Sequence, residues 1–141
     1  MPMQRNPHNR SHFTLTSAAL AMMLSAGASV ALAGSQTPQT AGQISYVCGG
    51  VAQDEQQALN AEARNYNLSL LFTQGPRGEY LADVDVKLTR HGKEVASFRA
   101  DGPRCLIKAP PASYNVIATY EGTTKRATVQ TGSTRNVQLR W

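Results

Sequence analysis

The segment Pro110–Gly122, with the sequence PPASYNVIATYEG, constrains the fold of this chain more than any other segment. Two prolines mark a turn. The residues after it alternate between Tyr, Val, Ala and Tyr on one side and Asn, Ile, Thr and Glu on the other. A period of two indicates a β-strand with one apolar face, which Gly122 ends. Because such a face must be buried against a second layer, we expect a layered β-structure.

The same alternation recurs along the chain and predicts seven short strands, with turns at Gly and Pro roughly every 8–12 residues. These strands cover 68–72, 82–88, 95–100, 105–107, 114–121, 125–131 and 136–141. The spacing is typical of an immunoglobulin-like β-sandwich. Trp141, at the end of the last strand, is expected to seal a sheet edge or pack into the core.

One short helix is expected before the strands, at about 54–65. Asp54 is suited to cap its N-terminus, and the residues after it are good helix formers without Gly or Pro. Leu59, Ala63 and Tyr66 fall on one stripe at helical spacing. We therefore predict a mainly β fold with one short N-terminal helix, in a single domain that covers 44–141.

The N-terminus has the features of a secretory signal peptide. A basic start with Arg5 and Arg10 is followed by an uncharged run rich in Ala, Leu and Met, which closes with Ala-Leu-Ala at Ala33. The strongly apolar part is shorter than the roughly 20 residues that span a bilayer. We predict a signal peptide at 1–33 and a flexible leader at 34–43. The protein is then exported, periplasmic or extracellular, and does not span the membrane after cleavage.

Two cysteines, Cys48 and Cys105, follow the predicted cleavage site. An even number of cysteines in an oxidising compartment favours an internal disulfide, which would stabilise the fold by roughly 4 kcal/mol on the chain-entropy model. Two free thiols or an intermolecular bridge are the alternatives.

Several motifs of this chain resemble those of carboxypeptidase regulatory-like domains. Pro110–Gly122 is similar to their L-P-x-G-x-Y-x-V-x-A-x-x-x-G motif, and 79–86 followed by 91–93 is similar to their opening hairpin. The chain also looks like small exported proteobacterial members of that group. The shared features are the signal peptide, Gly49-Gly50, 65–68, Gly102-Pro103 and Trp141. The resemblance covers about 42–141. It implies a transthyretin-like β-sandwich that serves as a non-catalytic accessory or binding scaffold.

One position departs from the motif, since Ser113 stands where the family has Gly. Serine adopts a positive φ less readily than glycine, so a slightly different turn is expected there.

Catalytic, metal and nucleic-acid functions are disfavoured. After the predicted cleavage site the chain contains one histidine, His91, which excludes a site built on several histidines. Hydroxyisourate hydrolases share the transthyretin-like scaffold, but they need several histidines and a characteristic C-terminal tetrapeptide that this chain lacks.

The basic residues are scattered, with no run beyond Lys125-Arg126, so no nucleic-acid partner is expected. We predict no catalytic residue, metal ligand or cofactor.

Three residues are candidates for contact with a ligand or partner: Tyr80, Asp83 and Asp85. Asp83 and Asp85 share one face of a predicted strand, where two carboxylates could contribute to a Ca²⁺ site. No Asp/Asn-Gly loop supplies the remaining oxygen ligands, so a solvated strand face is favoured. Tyr80 could stack on a ligand, whereas Tyr114 and Tyr120 lie on the apolar face of their strand.

The leading hypothesis is a non-enzymatic structural or protein-binding module of the bacterial envelope. Its partner would be an unidentified envelope protein, bound through a strand edge or through the loops at one end. The alternative is a module that binds a glycan or another small polar ligand. An enzyme of unassigned type ranks third.

Overall fold

A computed structural model describes residues 37–132 and 136–141. The predicted signal peptide at 1–33 and the start of the predicted leader lie outside the described residues. The described residues all belong to one compact unit. No helix among them has the length and hydropathy to span a bilayer.

The described part of the chain forms ten strands and one α-helix, followed by a 3-10 turn at Ala63–Asn65. In chain order the elements are β1 Gln39–Ala41, β2 Ile44–Gly49, α1 Gln53–Glu62, β3 Leu68–Gln74, β4 Glu79–Tyr80, β5 Val84–Arg90, β6 Lys93–Ala100, β7 Arg104–Lys108, β8 Ser113–Tyr120, β9 Thr123–Gln130 and β10 Asn136–Arg140. The prediction of a mainly β chain with one short helix is confirmed.

The strands form two sheets. The first has the order β1-β2-β7-β3-β10, with β4 paired to the end of β3. Its pairs are antiparallel except β3–β10, which is parallel. The second sheet has the order β6-β5-β8-β9 and is antiparallel throughout.

Both sheets contribute side chains to one hydrophobic core. Alternate residues of β3, β5 and β8 are buried in it, as the period of two in the sequence predicts. The strand of Pro110–Gly122 buries Tyr114, Val116 and Ala118, which are 3 % exposed or less. Burial of a Val, Leu or Phe side chain contributes about 1.5–3 kcal/mol each, so this shared core is the main source of stability.

The strand count differs from the predicted seven because β1, β2 and β4 were not expected as strands. β1 lies within the predicted flexible leader at 34–43, and that prediction is corrected for Gln39–Ala41. These residues turn back through Gly42, whose φ of 61° suits glycine, and pair with β2. A segment without alternation becomes a strand here because a neighbouring strand supplies its hydrogen-bonding partner.

The helix begins one residue earlier than predicted. Its N-cap is Ala52 rather than Asp54. The carboxylate of Glu55 reaches back and accepts hydrogen bonds from the backbone N–H groups of Gly50, Val51 and Ala52, at 3.0–3.5 Å. A carboxylate at this end of a helix also interacts favourably with the helix dipole.

Cys48 and Cys105 form a disulfide, as predicted. They lie directly opposite each other on the antiparallel strands β2 and β7, with Cα atoms 4.1 Å apart. The pair is buried in the core and joins the N-terminal hairpin to the centre of the first sheet.

Candidate ligand-binding groove

The outer face of the first sheet is only partly covered by the helix. Leu59 of α1 packs on Val47 of β2 and Leu106 of β7, and forms a small second core there. The surface of β3 and β10 beyond that contact stays open. Residues paired across strands share a face, so Leu71 lies beside Arg104 of β7 and beside Gln138 of β10.

A cleft of about 480 Å³ runs between α1 and this open part of the sheet. We call it the helix-side groove. Its polar lining comes from α1, β3, β7 and β10, and consists of Gln56, Asn60, Ser69, Arg104, Asn136 and Gln138. Leu71 and Pro103 give it an apolar floor. A small set of polar groups over an apolar surface is the usual composition of a ligand site.

Arg104 is the cation of this groove, and neutral groups hold its side chain in place. Its Nε donates to the Ser69 hydroxyl at 3.3 Å, and its Nη1 donates to the side-chain oxygen of Asn60. Among the described residues, the ion pairs all belong to Arg99, so Arg104 forms none. Its terminal nitrogens therefore keep N–H groups for a ligand, because a guanidinium has five.

Two of the groove amides are oriented by the protein in a similar way. The Gln56 amide nitrogen donates to the carbonyl of Gly50, and that of Gln138 donates to the Thr73 hydroxyl, both at 2.9 Å. In both residues the amide nitrogen makes the bond within the protein, and the amide oxygen does not take part in it. Such an oxygen is a ready acceptor for a ligand hydroxyl.

Tyr80 stands at the rim of the groove. It pairs with Thr73 through β4, which places its side chain on the same outer face, and it is 57 % exposed. Val51, in the loop before α1, is 67 % exposed. These are the large hydrophobic side chains that the described part of the structure leaves exposed.

A second recess of about 290 Å³ continues from the groove and shares Ser69, Arg104 and Asn136 with it. Arg64 and Tyr66, from the 3-10 turn and just after it, line its other side. Burial, with a smaller contribution from the charge of Glu62, raises the pKa of the Tyr66 hydroxyl above its ordinary value. Tyr66 is therefore a neutral hydroxyl and ring at neutral pH.

The structure separates the three contact residues predicted from the sequence. Tyr80 lines the helix-side groove, whereas Asp83 and Asp85 lie at one end of the second sheet beside Arg99, at 3.5 and 3.8 Å. The cause is the chain path, since β4 belongs to the first sheet and β5 to the second. Asp83, with a φ of 59°, lies in the connection between them.

No group of three or more His, Cys, Asp or Glu residues in the described ranges is arranged to hold a metal ion. His91 is exposed, in the turn between β5 and β6, with a φ of 51°.

Most residues of the groove were not predicted from the sequence. Gln56, Asn60, Arg104 and Gln138 fall on polar positions of the helix and strands, where a solvated surface is the usual interpretation. The one feature of the sequence that could have indicated a binding site is the type of these side chains, because three of the four are neutral amides. Their convergence depends on the parallel pairing of β10 with β3, which local patterns do not predict.

Comparison with known proteins adds no assignment. No family model matches this chain, and no curated protein is significantly similar to it.

Proposed function

We propose that this protein is a non-enzymatic binding module that acts outside the cytoplasm, in the periplasm or the extracellular space. The predicted signal peptide supports export, and the disulfide is compatible with an oxidising compartment. We further propose a transthyretin-like β-sandwich related to carboxypeptidase regulatory-like domains. The shared core of the two sheets and the motifs in Pro110–Gly122 support that assignment.

We propose that the ligand is a glycan, bound in the helix-side groove. The sequence alone favoured a protein partner. The observation that reverses this order is the set of polar groups that meet over an apolar floor beside the exposed ring of Tyr80. Sugars present hydroxyls that both donate and accept hydrogen bonds, and apolar ring faces that pack on aromatic side chains.

Binding, rather than glycoside hydrolysis, fits this lining. Most glycosidases place two carboxylates on either side of the scissile bond. The residues that line the helix-side groove include no Asp or Glu. Asp83 and Asp85 line a different cavity, beside Arg99.

A protein partner is the second candidate. The observation that favours it is the exposure of Val51 and Tyr80, because large exposed apolar side chains are typical of interaction surfaces. Val51 does not line the groove, so its substitution separates the two functions.

Co-sedimentation with insoluble glycans tests the proposal. The protein without residues 1–33 is mixed with peptidoglycan sacculi, cellulose, chitin and calcium alginate. We expect it to be retained on at least one of them. Tyr80→Ala should release it, because it removes the exposed aromatic ring on which a sugar face would pack.

Val51→Ala is the matched control and should leave this retention unchanged. Equal retention of Tyr80→Ala and the unchanged protein would contradict a glycan site in the groove. Absence of retention on all four materials, with capture of one defined envelope protein that Val51→Ala abolishes, would favour the protein-binding alternative.

A further inference from the structure

We infer that the glycan bound in the helix-side groove is acidic, and that a sugar carboxylate pairs with the guanidinium of Arg104. This inference rests on the proposed glycan-binding function and adds the charge of the ligand to it.

The charge of the lining favours an anionic ligand. The helix-side groove and the second recess meet at Ser69, Arg104 and Asn136. Together their linings contain two cations, Arg64 and Arg104, and no carboxylate. A cleft lined by one sign of charge attracts the opposite sign, and its potential adds to each direct contact.

Within the part of the chain that the structure describes, the side chain of Arg104 is held in place without an anionic partner. The guanidinium of Arg99 already pairs with two carboxylates of the protein, those of Asp83 and Asp85. The guanidinium of Arg104 instead contacts two neutral acceptors, Ser69 and Asn60. These bonds orient its plane and use the N–H of Nε and one N–H of Nη1, which leaves one N–H on Nη1 and two on Nη2. Two such groups match the two oxygens of a carboxylate.

The groups around this cation suit the rest of a sugar. Gln56 and Gln138 line the groove, and their amide nitrogens are already bonded within the protein, so their amide oxygens can accept hydrogen bonds from sugar hydroxyls. Tyr80 stands at the rim of the groove and Tyr66 in the second recess. Because Arg104 lies where the two cavities meet, it is placed to bind a carboxylate between two sugar units.

Calorimetric titration with uronic acid oligosaccharides tests the inference. The probes are trimers of galacturonate and mannuronate and a hyaluronan tetrasaccharide, each as the free acid and as its methyl ester. Esterification removes the charge and keeps the hydroxyl pattern. We expect at least one acid to bind, its ester to bind about tenfold or more weakly, and the affinity to fall as salt rises.

Arg104→Gln should weaken binding of the acid about tenfold and should bring acid and ester to similar affinities, since the two changes remove one interaction. Arg126→Gln on β9 is the matched control and should bind as the unchanged protein. Thermal unfolding of each variant establishes that it is folded. Arg64→Gln leaves the Arg104 hydrogen bonds in place, so it gives a second measurement, with an expected loss of several-fold for the acid.

The outcomes separate the two proposals. If acid and ester bind equally well, or if folded Arg104→Gln keeps full affinity for the acid, the pairing of a sugar carboxylate with Arg104 is wrong and glycan binding stands. Where Arg104→Gln does not fold, full affinity in Arg64→Gln has the same meaning. If no acid and no ester binds, but the protein is retained on a neutral insoluble glycan, the inference of an acidic ligand fails alone. If neither experiment detects a glycan, both proposals fail.

Discussion

The indole nitrogen of Trp141 donates a hydrogen bond of 2.8 Å to the backbone carbonyl of Thr123, the first residue of β9. Trp141 follows β10 of the first sheet, so this bond joins the end of one sheet to an edge strand of the other. The indole also makes edge contacts with Phe72 and Tyr120, at centroid distances of 6.3 and 6.1 Å. The expectation that Trp141 would seal a sheet edge or pack into the core is confirmed.

Trp141→Phe should lower the free energy of unfolding by about 1 kcal/mol, because it removes the hydrogen bond and keeps most of the ring contacts. Trp141→Ala should cost more, about 2–3 kcal/mol, since the contacts with Phe72 and Tyr120 are lost as well. Urea unfolding followed by circular dichroism measures both. Equal losses in the two variants would mean that the aromatic packing contributes nothing beyond the hydrogen bond.

Reduction of the Cys48–Cys105 disulfide should destabilise the protein by about 4 kcal/mol, since the bridge closes a loop between residues 57 positions apart. Unfolding of the paired Cys48→Ala, Cys105→Ala variant, compared with the oxidised protein, measures this effect. Non-reducing intact mass shows directly whether the bridge is present. A mass equal to that of the reduced chain would contradict the pairing.

Gly102→Ala should be strongly destabilising, by about 1–3 kcal/mol or more. A Cβ at this position would lie 2.5 Å from the backbone of Gly49, the last residue of β2, so the loop between β6 and β7 has no room for a side chain there. Thermal unfolding measures the loss.

Gly132 is the matched control for Gly102. It has a φ of 82°, but no atom of the described residues lies within 4 Å of a Cβ placed there. Asparagine tolerates that backbone conformation, so Gly132→Asn should cost little while Gly102→Asn should cost at least as much as Gly102→Ala. Similar small losses at both positions would contradict the close approach to Gly49.

Much of the fold follows from local patterns, but the groove does not. The alternation around Val116 predicts a buried strand face, and the structure has it. In contrast, Tyr80 and Asp83 are three residues apart in sequence and belong to different sites, because the chain crosses between sheets there. Arg104 and Gln138 come together through long-range strand pairing on either side of β3, which no short segment encodes.

The raised pKa of Tyr66 predicts that the protein loses stability at alkaline pH. Burial raises the pKa of its hydroxyl in the folded state above the ordinary value of 10.0, and the charge of Glu62 adds to this effect. The stabilising contribution is complete below pH 10 and is lost as pH rises through the raised pKa, because the folded state then binds more protons than the unfolded state. Tyr66→Phe should weaken this dependence in urea unfolding between pH 9 and pH 11. An unchanged slope would show that Tyr66 does not cause it.

The binding site itself is tested most directly by an NMR titration of the isotope-labelled protein with soluble fragments of peptidoglycan and with the uronic acid oligosaccharides. We predict saturable shifts of backbone amides in and beside the helix-side groove, at Ser69, Leu71, Tyr80, Arg104 and Gln138. The exposed face of β8 and β9, including Asn115 and Arg126, should be unaffected. Saturable shifts confined to that second face, or no saturable shifts with any of these ligands, would contradict a glycan-binding groove.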